Sequence, residues 1–159
     1  MTKNVSRIKE VLRSEDTDDL NRRRLIIKLS ALGLVDFTII TFYQTGIIQS
    51  LPDLPLKIFN SDEVNGSDKA YEMGLPDGTT AITVYGLVMM LASFGGKKGV
   101  ARSRTWDWLL MAAISANSLA GLEYLYNMAF KQKKVCLYCV SGALINLSMV
   151  SPALKNLRN

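Results

Sequence analysis

Histidine is absent from this 159-residue chain. That absence removes serine–histidine and cysteine–histidine catalysis, imidazole metal ligation and histidine proton shuttling together. Phosphate-cradling loops are missing too. No Walker-type glycine loop or dinucleotide fingerprint occurs, and the GGKKG run at 95–99 has the spacing of neither. Cysteine is scarce, with two residues, Cys136 and Cys139. A tetrahedral zinc site is therefore disfavoured, since two thiolates supply half a ligand shell and no imidazole completes it; no metal is expected. The net charge of +5 does not require nucleic acid, and no nucleic-acid partner is expected, because tyrosines and phenylalanines fall inside apolar blocks rather than between basic residues.

What is abundant is apolar sequence, 48% of residues, gathered into blocks. Four are read as membrane spans: Leu25 to about Ile48, about Thr79 to Phe94, Trp106 to about Phe130, and Val135 to about Leu154. A helix needs roughly 20 residues to cross a ~30 Å hydrocarbon core, and the second block is short by that measure. A soluble four-helix bundle is the alternative, but it calls for polar faces opposite buried ones, and the second and fourth blocks are apolar nearly all round. The expected fold is all-α: an integral membrane four-helix bundle with a long extracytoplasmic loop.

Charge orients it. Lys3, Arg7, Lys9, Arg13 and Arg22-Arg23-Arg24 precede the first span; Lys97, Lys98, Arg102 and Arg104 link the second and third; Lys155 and Arg158 end the chain. The positive-inside rule makes all three segments cytoplasmic. Residues 1–24 are then a cytoplasmic segment, 25–154 the membrane domain of an inner (plasma) membrane protein, and 155–159 a cytoplasmic tail. Trp106 and Trp108 suit the inner interface. The link 49–77 is acidic on balance and lies outside; Lys131, Lys133 and Lys134 run against the rule. No cleavable signal peptide is evident, so the first span is expected to act as an uncleaved anchor. Val5, Ile8 and Leu12 form a helical face that either lies on the inner leaflet or belongs to a solvated, frayed tail.

The cysteines open the fourth block, on the outer side. Residues i and i+3 are helix neighbours within disulfide reach after slight adjustment. The amide-rich, positive end of a helix favours thiolate, as do Lys131, Lys133 and Lys134 upstream. The outer face of a membrane is also where disulfides persist. Inert small-residue packing is the bland alternative; the spacing and position favour a redox pair. Asp36 and Glu123 lie within spans, where carboxylates are costly. Each is a candidate proton acceptor or a helix-to-helix or rim contact. Asn117, Asn127 and Asn146 are expected to knit helices together, with Asn146 the best candidate for more.

The segment VCLYC followed by VSGALINLS, with SLAGLEYL one span earlier, resembles the vitamin K epoxide reductase family. The resemblance rests on Cys136 and Cys139, Ile145-Asn146-x-Ser148, and Ser118 to Gly121 with Tyr124-Leu125. It extends more weakly to Asn65, Ser67, Gly74, Pro76 and Gly86, and covers about Arg24 to Leu154. It implies a bundle around a quinone (menaquinone or ubiquinone), with a helical segment of the outer loop capping the site. It implies that Cys139 faces the quinone and that Cys136 exchanges with an incoming thiol from a thioredoxin-fold or other extracytoplasmic protein, which supports disulfide formation. This chain departs from the family in three ways. It has no second cysteine pair in the loop, and Ser61 stands about where the later one would be. Span two has no asparagine. Ala143 stands where some members have tyrosine. Thr79, Thr80, Thr83 or Tyr85 could donate to the quinone instead, although such hydroxyls are usually bonded to backbone. The contrasting reading is a non-catalytic subunit of the same fold within a larger assembly.

Overall fold

The computed structural model describes residues 9, 10, 13, 16–94 and 104–158. Lys3, Arg7, Val5, Ile8, Leu12, Lys97, Lys98, Arg102 and the 95–99 run lie outside them. The described residues are helical in every regular element: α1 (Asp18–Gln44), a short α2 (Ser61–Asn65), a 3-10 turn (Asp68–Tyr71), α3 (Asp77–Ser93), α4 (Arg104–Asn127), a π turn (Met128–Gln132) and α5 (Leu137–Arg158).

The first helix starts seven residues before its apolar block. Thr17, in extended conformation, accepts from the Leu20 amide, and Asp18 and Asp19 in the first turn complement the helix dipole. It also ends earlier than its apolar run. Gly46 takes φ +77°, its amide bonds Tyr43 O, and the Ile47 amide bonds Phe42 O. That pair of bonds is a Schellman ending. Ile47 and Ile48 are thus past the helix, and the basic run Arg22–Arg24 lies inside it. Arg23 is buried against Asp19 and, from α4, Asp107, while Arg22 reaches Asn156 of α5 at 2.5 Å.

Those contacts place the start of α1, the start of α4 and the end of α5 together; Phe94 stacks on Trp106 at the same end. At the opposite end Gln44 bonds Asp77, and Lys69 bonds Glu123. The helices therefore run alternately up and down. The ends that gather the arginines and the tail lie away from the 45–76 segment and the cysteines. α1 packs on α3 and α5, and α4 packs on α5 and, more slightly, on α3. The core joins Ile26, Tyr85, Val88, Leu110, Ile114 and Met149.

The apolar residues outside that core matter as much. Leu32, Val35, Leu87, Leu109, Leu119 and Leu144 project outward from all four long helices. Two of these helices, Asp18–Gln44 and Leu137–Arg158, are long and apolar enough to cross a membrane, and their apolar stretches are only 22% and 39% buried. A core helix of a soluble protein buries such a stretch; an outward apolar face suits lipid.

Close packing of α1 on α3 depends on Gly33, where a Cβ would run into the Tyr85 ring. Gly33→Leu is expected to cost about 1–3 kcal/mol through overpacking. Thermal unfolding in detergent should register it. Gly86→Ala, facing open space, should leave the melting temperature equal or higher.

Candidate functional site

The site is built where α5 begins. Cys136 is the residue just before the helix, and its sulfur accepts the Cys139 amide at 3.1 Å. Cys136 therefore serves as an N-cap, with sulfur in the role usually filled by a hydroxyl or carboxylate oxygen. A second donor arrives from α2, as Asn65 Nδ2 reaches the same sulfur at 3.2 Å. Both cysteines are reduced and buried.

The Asn65 amide assigns the two sulfurs different states. Its nitrogen also donates to Ser61 O at 2.8 Å. A backbone carbonyl only accepts, so the amide orientation is fixed. The nitrogen then faces Cys136, and the oxygen receives Cys139 Sγ at 3.8 Å. Two N–H donors favour a thiolate on Cys136, and an oxygen acceptor favours S–H on Cys139.

The preceding loop is fastened over this pair. Val135 and Phe59 form a bridge, with Val135 N bonding Ile58 O and Asn60 N bonding Val135 O. Asp53 accepts from the Ser61 amide and from its hydroxyl at 2.7 Å, and Ser61 Oγ accepts from Leu137 N at 3.2 Å. Tyr138 Oη reaches Pro52 O. Ser61, at the position where the family resemblance puts a loop cysteine, is thus fully buried beside the pair. A hydroxyl there braces the helix start but cannot form a disulfide. Cys136 is left with no exposed surface.

On the other side of Cys139 lies a cavity of about 470 Å³. Its walls are Phe37 of α1, Ala81, Val84 and Leu87 of α3, and Ala113, Ala116, Ala120 and Gly121 of α4. Cys139, Ala143 and Asn146 contribute one face of α5 at i, i+4, i+7 spacing. The roof is Asn65, Lys69, Ala70 and Met73. Lys69 ties this roof to α4 by an ion pair to Glu123 at 2.7 Å, and also pairs with Glu72. The Glu123 and Glu72 carboxylates raise the Lys69 ammonium above its ordinary range. Tyr124 Oη donates to Lys69 O at 3.2 Å.

Of the residues expected from sequence, Cys139, Ala143 and Asn146 line the cavity, as does Thr80. Cys136 lies directly behind Cys139. Thr83 and Tyr85 do not line it. Thr83 is exposed on another face of α3, its hydroxyl bonded to Thr79 O. Tyr85 is fully buried and donates to Gly142 O at 3.3 Å, between α1 and α5. The rotation of α3 that seats Tyr85 against Gly33 turns Ala81 and Val84, not Thr83, to the cavity. Asp36 is also off the cavity, accepting from Ser141 Oγ at 2.9 Å. Glu123 sits at the rim in its ion pair. Asn117 and Asn146 bond each other, Nδ2 to Oδ1 at 2.8 Å, joining α4 to α5 while lining the cavity. Asp53 and Asp77, both part of the site, carried no sequence signal beyond charge.

A cavity of this size falls within the usual ligand range of about 300–1,000 Å³, and an apolar lining with a few placed amides is the usual chemistry. Among the described residues the molecule is thus all-helical, with two membrane-type helices and a cysteine pair of which Cys139 stands on the wall of an apolar cavity. The Vitamin K epoxide reductase family matches residues 24–153, and the chain belongs to that family. No curated protein matches it. Membership, with the two apolar helices, implies a membrane protein of oxidoreductase type.

Proposed function

We propose that this protein is a four-span membrane oxidoreductase that moves electrons from extracytoplasmic thiols to a membrane quinone through Cys136 and Cys139. One observation carries the reading. Cys139 faces an apolar cavity, and the same asparagine that touches its sulfur also donates to Cys136. Both termini and the 94–104 link are cytoplasmic in this reading, since the ends that gather Arg22–Arg24, Arg104 and Lys155 lie away from the cysteines.

Starting from the Cys136–Cys139 disulfide, a thiolate of the partner attacks Cys136, and Cys139 leaves on the cavity side and takes up a proton that the partner thiol gave up. The partner's second thiolate then attacks the mixed disulfide, and Cys136 leaves with the two donors, Asn65 Nδ2 and Cys139 N, waiting for its charge. A quinone in the cavity supplies the acceptor that returns the pair to disulfide, taking two electrons and two protons. The Asn117–Asn146 pair and Tyr124 hold its edge, and the alanines of α4 give its face room. The partner, a thioredoxin-fold or similar extracytoplasmic protein, meets Cys136 directly because no loop cysteine relays electrons. The 51–60 segment, which covers Cys136, moves aside for that encounter.

The test is the purified chain in proteoliposomes with dithiothreitol as thiol and ubiquinone-1 or a short-chain menaquinone as acceptor. Thiol-dependent quinone reduction is expected, together with labelling of the reduced pair by a membrane-impermeant maleimide from the outside of oriented cells. Turnover with neither quinone, or labelling from the cytoplasm alone, overturns the reading and favours a non-catalytic subunit.

A further inference from the structure

Oxidising the pair moves two electrons and requires two protons at the quinone oxygens, yet the cavity wall offers few groups able to give or take one. Three carboxylates reach it: Glu72, Glu123 and Asp77. The first two are held by Lys69 at the rim. Asp77 forms no ion pair among the described residues. It stands in the first turn of α3, half-buried, where the cavity meets its mouth. Gln44 fixes it from α1, with Nε2 donating to Asp77 Oδ1 at 2.5 Å while Gln44 Oε1 accepts the Gly78 amide at 3.1 Å. The groups facing it are the Tyr124 hydroxyl of α4 and the Cys139 thiol of α5, with Lys69 and Glu123 beyond at the rim.

We infer that Asp77 is the proton donor of the cavity. The inference rests on the thiol–quinone reading and assigns that site a residue. The balance follows from the sulfur states set by Asn65. A Cys136 thiolate, a Cys139 thiol, a quinone and one proton passed in from the outer mouth by way of the Asp77 carboxylate give the Cys136–Cys139 disulfide and a hydroquinone. The S–H bond of Cys139 breaks, one S–S bond and two O–H bonds form, and charge is conserved. Asp77 takes that proton from the outer mouth, the side on which Cys136 shed its own.

Asp77→Asn keeps an oxygen for Gln44, so the α3 start is retained, and only proton transfer is lost. General acid–base catalysis contributes about 10²–10⁴-fold where it operates. In proteoliposomes with dithiothreitol and ubiquinone-1, Asp77→Asn should lower kcat at least ~10-fold with KM within about threefold, and Asp77→Glu should recover part of the rate. Binding of ubiquinone-1 to the Cys136→Ser/Cys139→Ser protein, which cannot turn over, should not change when Asp77→Asn is added. A kcat equal to wild type, or a parallel loss of quinone binding, overturns the assignment and leaves the thiol–quinone reading intact. A wild-type protein that reduces no quinone removes both.

Discussion

Cys139→Ser is expected to abolish quinone reduction while leaving a protein that captures the disulfide form of its thiol partner. The two sulfurs are not equivalent. Cys139 alone touches the cavity, and Cys136 alone receives two N–H donors. Without Cys139 no internal disulfide forms, but the Cys136 thiolate still attacks the disulfide of an oxidised partner, and the mixed disulfide so formed has no resolving thiol on the cavity side. Electrons therefore stop at Cys136, and turnover should fall by about 10³-fold or more, the scale on which a nucleophile's loss is felt when residues act as a unit. A covalent adduct between Cys136 and the disulfide form of an extracytoplasmic thiol protein, whose second sulfur leaves as thiolate, should accumulate, visible on a non-reducing gel and named by mass. Cys136→Ser should be equally inactive but form no such adduct. Adduct formation by both variants, or by Cys136→Ser alone, would reverse the assignment of roles.

Part of this site was legible in the chain before any coordinates, and the reason is periodicity. Cys139, Ala143 and Asn146 lie three and four residues apart on a helix whose start the cysteines mark, so their common face could be read directly. Two of the α3 hydroxyls, those of Thr83 and Tyr85, lie off the cavity for a physical cause. Thr83 and Tyr85 are chemically suited to a quinone oxygen, but α3 is apolar on most faces, and its rotation is set by a single notch, Gly33, into which Tyr85 fits. Nothing in the α3 sequence alone reveals that notch. Helix limits are hidden in the sequence for a different reason. Apolar character reports where lipid or core is expected, not where the backbone turns, so the apolar run to Ile48 gives no sign that Gly46 closes the helix. Asn65 and Asp77 belong to the region with no repeating pattern. Their positions follow from Asp53 holding the Ser61 amide and hydroxyl, Gln44 bracing Asp77, and the Phe59–Val135 bridge. Such long-range bonds leave no spacing signature. The weak family likeness at Asn65 was the one hint, and the structure gives it a physical meaning.

The cavity itself admits a separate test that does not touch the sulfurs. Ala120→Trp places an indole where a methyl now lines the wall of the 470 Å³ space. Ala120 is exposed to that space rather than packed into a neighbouring helix, so the ring has somewhere to go without prising α4 from α5. The same cannot be said of Gly121, whose Cβ would already meet Ala143 at 3.4 Å. A filled cavity leaves no room for a ring beside Cys139, and kcat/KM for ubiquinone-1 should fall about 100-fold, since a misplaced reacting group by itself costs about that factor. The dithiol should remain intact: alkylation of the reduced pair, and formation of the Cys136 adduct in a Cys139→Ser background, should proceed as before. Loss of quinone reduction with thiol exchange preserved separates the two half-reactions in space, one on each side of Cys139. Should Ala120→Trp reduce quinone at the wild-type rate, the acceptor meets Cys139 by another route, and the cavity between α3 and α4 loses its part in the reaction.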